Sequence, residues 1–185
     1  MNRRFLLCLL AASLLTGRGF AFDPIPDATP EKFMGGAENL ELVNAATAIK
    51  VFRIVDPEQK PKRKKTVRID NRECDATPVS VSGPEVQQVI AAMSEMKNFG
   101  GGLMCDFDPG MILRFEADAH TLDVIVCFQC HEMILYHDGA VVRRPFKWAE
   151  TKNTFSGSAF RAFVAIAKKA FPKDAEIQGI KQPKG

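Results

Sequence analysis

LDVIVCFQCHEMILY, residues 122–136, is a long, unbroken β-forming run. Inside it sits Cys127-Phe128-Gln129-Cys130-His131. In an exported protein that C-x-x-C-H string is the attachment signature of a covalent haem. The same letters also suit a plain β-strand, and the flanking residues favour it. Val, Ile and Tyr are strand formers, and neither Gly nor Pro interrupts the run. In a strand, an odd offset of three puts Cys127 and Cys130 on opposite faces. A haem using Cys127, Cys130 and His131 needs both thiols and the imidazole on one side. That requires a break near Gln129 and a distal ligand such as Met111, Met133 or His137. The expectation is therefore one continuous strand from Leu122 to Tyr136.

Working outward, Met111–Glu116 is a strand with a turn at 117–120. His137-Asp138-Gly139-Ala140 is a two-residue hairpin turn, where Asp-Gly supplies positive φ. Val141–Arg144 returns, which gives a three-stranded antiparallel meander. If Ala117 faces His120, Cys127 lies near Gly110 and Cys130 near Phe107, with Cys105 just beyond. Upstream, 48–55 and 66–70 alternate apolar and polar residues and read as an N-terminal hairpin around a charged loop. Ser82-Gly83-Pro84-Glu85 opens a helix with Val86, Val89, Ile90, Met93 and Met96 at helical spacing. Ser156-Gly157-Ser158 opens another, through about Ala170, with Phe160, Phe163, Val164 and Ala167 on one face. The predicted architecture is α+β: an antiparallel sheet with two main helices packed against it.

The N-terminus reads as a secretory signal peptide cut after Ala21. Arg3 and Arg4 precede the apolar run Phe5–Leu15, and small residues stand at Gly19 and Ala21. The run is too short to span a bilayer. Residues 22–47, with Pro24, Pro26 and Pro30, read as a loosely structured leader. Residues 48–176 read as a single domain and 177–185 as a tail. The formal net charge of +3 falls to zero without Arg3, Arg4 and Arg18. The mature chain thus gives no global argument for nucleic acid. Lys60, Lys62, Arg63, Lys64 and Lys65 form a local basic run, read as a solvated loop with at most weak contact to anionic surfaces.

Four cysteines follow the signal segment: Cys74, Cys105, Cys127 and Cys130. An even number in an exported chain points first to disulfides, with three connectivities open. A Cys105–Cys130 bridge is the first choice. A zinc site from Cys105, Cys127 and Cys130, with Cys74 or His131 as fourth ligand, is an alternative. So is the haem on Cys127, Cys130 and His131. A redox-active C-x-x-C is disfavoured, because no helix N-terminus lowers a thiol pKa here. His120 and His137 fall at opposite ends of the long strand and are not expected to meet at one metal. No G-x-S-x-G elbow and no H-E-x-x-H motif is present.

The run from Cys105 through Pro109, Leu113-Arg114-Phe115 and Asp123-Val124 to Cys127-Phe128-Gln129-Cys130 resembles a family of small exported bacterial proteins. These share a C…P-x-x-x-L-R-F…D-V-x-x-C-F-x-C pattern, often before a helix ending near A-F-P-x-D, as at Ala170-Phe171-Pro172-Lys173-Asp174. The similarity spans about residues 84–176. It implies three cysteines as a shared core and brings no established activity. The expectation is an exported, non-enzymatic binding or envelope-associated module stabilised by its cysteines and without a cofactor. Zinc and haem c are the alternatives.

Overall fold

A computed structural model describes residues 29–55, 65–99, 106–143 and 157–182. Residues 1–21, read above as a signal peptide, the basic residues Lys60, Lys62, Arg63 and Lys64, and Cys105 lie outside the described residues. Lys65 is exposed.

The fold is α+β. Its main sheet contains β1 (Ala48–Arg53), β4 (Val79–Ser82), β5 (Met111–Ala117), β6 (His120–Cys127), β7 (Glu132–His137) and β8 (Ala140–Arg143). Their order is β4-β1-β5-β6-β7-β8, and every pairing is antiparallel. The expected register holds in the β5–β6 hairpin: Ala117 faces His120, and the ladder runs down to Met111 opposite Val126. The β7–β8 turn also forms as expected, with His137 opposite Ala140 and φ of 48° and 77° at Asp138 and Gly139. Both values suit the type I′ turn that matches strand twist.

The expected continuous strand 122–136 is instead two strands. The chain reverses through Phe128, Gln129, Cys130 and His131, so that Cys127 faces Glu132. His131 takes the left-handed conformation, φ 55°, at the exit. No Gly, Pro or Asp-Gly marks the turn. Its closing contact is a side chain: the Cys130 N–H donates to Cys127 Sγ at 3.2 Å. The apolar run continues on both sides of the turn, because both strands are buried on both faces, and that hid the reversal.

The expected N-terminal hairpin is also corrected. β1 lies between β4 and β5. Strand β2 (Thr66–Ile69) pairs with β3 (Arg72–Asp75) in a separate two-stranded sheet. Asp70 and Asn71 both have positive φ, 43° and 50°. That tight turn folds β2 onto the residues just after it, before it can reach β1. The small sheet touches the main one through the Ile54–Cys74 bridge and the Val55 N–H to Glu73 carbonyl bond.

The leader is not loose where it is described. Helices α1 (Pro30–Met34) and α2 (Ala37–Asn44) occupy it. Thr29 Oγ1 accepts the Lys32 N–H at 3.2 Å and caps α1, and Pro30 starts it. Phe33 and Met34 are fully buried, and the Phe33 ring stacks on Phe99 at 4.4 Å. The two expected helices are α3 (Pro84–Ser94) and α4 (Gly157–Ala170). A short α5 (Ala175–Gly179) enters the expected tail and buries Ile177.

The sheet thus has two covered faces. Ile49, Val51, Leu113, Phe115, Val124 and Leu135 pack towards the helices. Alternate residues Phe52, Ile112, Ile125, Ile134 and Tyr136 form a smaller layer with Ile69 and Cys74 of the β2–β3 sheet. Among the described residues, no helix is long and apolar enough to cross a membrane.

Phe33→Ala should cost about 3–5 kcal/mol of unfolding free energy, as for a core aromatic. Urea unfolding measures it, and a loss below about 1 kcal/mol would mean that α1 is detached from the core.

Candidate functional site

The β6–β7 turn places two sulfurs inside the protein. Cys127 and Cys130 are both fully buried. Cys127 is a free thiol, as is Cys74. Burial raises the Cys127 pKa, although the N–H groups of Cys130, Asp108 and Gln129 point at its sulfur and act the other way. Burial also pushes the Cys74 thiol up to about 12, with the nearby Asp123 charge adding to the effect. Neither is an activated nucleophile. Cys130 Sγ lies 2.9 Å from the carbonyl oxygen of Asp106, the residue next to Cys105. The His131 ring packs against Phe160, centroid to centroid 4.4 Å, and desolvation lowers its pKa.

These facts change the case for haem. The objection that Cys127 and Cys130 point to opposite faces of a strand falls away, because the segment does turn. Burial replaces it. A porphyrin needs two accessible thiols and a free imidazole edge, whereas both sulfurs are enclosed and His131 is packed on an aromatic ring.

On the small-layer face, Arg114 makes a bidentate pair with buried Asp123, at 2.7 and 2.8 Å, and lies over the Phe52 ring at 5.2 Å. A cleft of about 760 Å³ opens between β3, the 108–110 segment and the α4–α5 corner. Arg53 lies on its wall and is fully engaged. It donates to Asp174 Oδ2 at 2.8 Å, to Glu176, and to the carbonyls of Gly110 (2.7 Å) and Ile54 (3.1 Å). That arginine fastens α5 to the sheet, so its guanidinium is committed to structure.

The reversal at 128–131 has a second consequence. It folds β7 back along β6, so Leu122 faces His137. The expectation that His120 and His137 lie at opposite ends of a strand is therefore corrected: their rings are 5.6 Å apart. Asp138 lies between them. Its Oδ2 is 2.8 Å from His120 Nδ1 and 3.1 Å from His137 Nε2. Its Oδ1 accepts the Thr121 N–H at 2.7 Å, which fixes the carboxylate. Glu38 of α2 brings Oε1 to 3.6 Å from His120 Nδ1 and 3.9 Å from His137 Nε2. On the far side of its ring, His137 Nδ1 meets Asn39 Oδ1. Asn39 is buried and donates its Nδ2 to the Met34 carbonyl at 2.8 Å, which leaves Oδ1 as the acceptor and puts the proton on His137 Nδ1. Among the described residues, Glu38, His120 and His137 are the one group of three or more metal-ligating side chains whose ligand atoms lie within 4.8 Å of one another. Cys74, Cys127, Cys130 and His131 form no such group among those residues.

Sequence reasoning missed this cluster. Glu38 stood in the supposed leader, and the two histidines stood on a supposed single strand. The Asp-Gly turn beside His137 and the turn beside His120 were both visible, but their adjacency needed the unseen reversal.

The Asp138 hydrogen bond, helped by Glu38, raises the His120 pKa above 6.5. The same bond and the Thr121 N–H hold Asp138 down at about 2. A raised histidine pKa gives stability that is present below about 6.5 and lost as pH rises through the folded value. A depressed Asp gives stability that is present above its ordinary 3.8 and lost as pH falls towards about 2. The pair is therefore intact across the mildly acidic range. In chelator-treated protein, NMR titration should place the His120 midpoint above 6.5, and Asp138→Asn should bring it back towards that value. An unchanged midpoint in the variant would remove Asp138 as the cause. No protein-family model matches the chain, and neither does any curated protein or solved structure.

Proposed function

We propose that the chain is an exported, non-enzymatic binding domain whose interior is locked by a Cys105–Cys130 disulfide. The single observation that carries the disulfide is the position of Cys130 Sγ, 2.9 Å from the carbonyl of Asp106. Cys74 and Cys127 are free thiols, so Cys105 is the remaining cysteine of the mature chain for Cys130 to pair with. Such a bridge needs an oxidising compartment, which fits the signal-like N-terminus. It joins the entry to β5 with the β6–β7 turn and closes a loop of about 25 residues, worth about 3 kcal/mol in the loop-entropy account. A non-enzymatic role is supported by the chemistry of the interior: two buried thiols with raised pKa values and an arginine committed to structural pairs. The binding role rests on the mixed-charge cleft lined by Arg72, Glu73, Asp108, Lys173 and Glu176.

A second reading has its own support. The Cys130 N–H to Cys127 Sγ bond, followed by a left-handed residue at His131, is the kind of turn that can present two sulfurs to one metal. Zinc held by Cys105, Cys127 and Cys130 is that alternative.

Intact mass under non-reducing, denaturing conditions separates the two. The protein should be recovered after export from cells able to mature c-type cytochromes. The expected product lacks residues 1–21 and is lighter than the reduced chain by the two hydrogens of one cystine. Peptide mapping should join Cys105 to Cys130, and Cys74 and Cys127 should alkylate only after unfolding. Four free thiols with zinc retained in the native spectrum would replace the disulfide with the metal. A covalent haem mass would overturn both.

A further inference from the structure

We propose that Glu38, His120 and His137, with Asp138 beside them, form a binding site for a divalent transition-metal ion of the zinc class. The site sits at the opposite end of β6 from Cys127, about 23 Å away at a strand's rise per residue. It does not depend on how the cysteines pair.

The donor set is two imidazoles and the Glu38 carboxylate, a combination suited to zinc. The spacing agrees. Zinc bonds of about 2.0–2.2 Å in tetrahedral geometry put ligand atoms about 3.3–3.5 Å apart. Here Glu38 Oε1 stands 3.6 and 3.9 Å from the two histidine nitrogens, and Asp138 Oδ2 stands 2.8 and 3.1 Å from the same pair. Side-chain adjustment brings the Glu38, His120 and His137 ligand atoms, which lie within 4.8 Å of one another, to coordination spacing. It is available, because Glu38 and His120 are exposed side chains.

The supporting groups are already placed. His137 Nδ1–H is held by Asn39 Oδ1, and Asn39 is buried and tied to the Met34 carbonyl. That bond orients the ring and directs Nε2 into the cluster, the role that an outer hydrogen-bond partner plays at metal-bound histidines. The Thr121 N–H does the same for Asp138.

Three protein ligands leave one position of a tetrahedral ion to water or to Asp138, whose Oδ2 stands beside both histidine nitrogens. Its ligands come from α2, the start of β6, and the β7 end with its turn. A bound ion would therefore fasten the N-terminal helical arm to the edge of the meander.

The test uses the untagged chain, stripped with chelator and titrated with zinc chloride by calorimetry. Native mass spectrometry and cobalt substitution run in parallel. The expected result is one zinc per chain, and a cobalt complex with ligand-field bands and no sulfur charge-transfer absorption. His120→Ala should weaken binding about tenfold or more, and Glu38→Gln should weaken it measurably. At one zinc concentration, zinc should raise the thermal midpoint of the parent chain more than that of His120→Ala. Both substituted side chains are exposed, and far-ultraviolet circular dichroism checks their folding. If His120→Ala fails to fold, Glu38→Gln decides. No zinc uptake, an affinity unchanged by the variants, or a sulfur-to-cobalt band in place of the expected spectrum would each overturn the site.

Discussion

The Cys130 N–H to Cys127 Sγ hydrogen bond sits at the turn on which most of this architecture depends. It closes a four-residue reversal inside a run of strand-forming residues. Without that reversal, Leu122–Cys127 would lose Glu132–His137 as its antiparallel partner. Because the turn forms, Val124 faces Leu135 and Ile125 faces Ile134. One pair serves the helix-side core and the other the small layer. The same reversal carries Cys130 to the 106–110 segment at one end, and closes His137 onto His120 at the other. Both chemically interesting ends of the molecule are products of one chain reversal.

The small layer depends on one polar exception. Arg114 and Asp123 face each other across β5 and β6, among Phe52, Ile112, Ile125 and Tyr136. Bidentate geometry and the Phe52 ring satisfy the guanidinium, so the pair tolerates its surroundings. Removing one partner would strand the other charge in a nearly dry place, which is worse than replacing both. The β2–β3 hairpin, with Ile69 and Cys74, is the lid that keeps this layer dry.

The sequence made some parts legible for clear reasons. The Asp-Gly turn at 138–139 needed positive φ, and its residues supply it. Helices α3 and α4 carry apolar residues at helical spacing behind recognisable starts. The β5–β6 register followed from the turn at 118–119. Other parts stayed hidden. Strands buried on both faces do not alternate cleanly with a solvent side, so a strand and a closed hairpin look the same unless Gly or Pro marks the bend. Here a cysteine side chain does that work. Strands β3 and β4 are four residues each, and Arg72-Glu73-Cys74-Asp75 has almost no apolar signal. The prolines before residue 30 suggested a loose arm, but Phe33, Met34, Leu42 and Val43 had the apolar character to dock. The histidine cluster was illegible because its members became neighbours only through features that were themselves unseen.

The enclosed Cys127 sulfur has a kinetic meaning. Its thiol has no solvent contact, and three backbone N–H groups surround it. An alkylating or oxidising reagent reaches it only when the 128–131 reversal opens. The rate of its modification under native conditions is then set by how often that segment comes apart, and not by the intrinsic reactivity of sulfur. The chain carries a clock for the opening of the turn on which its fold depends, written into the atom that closes it.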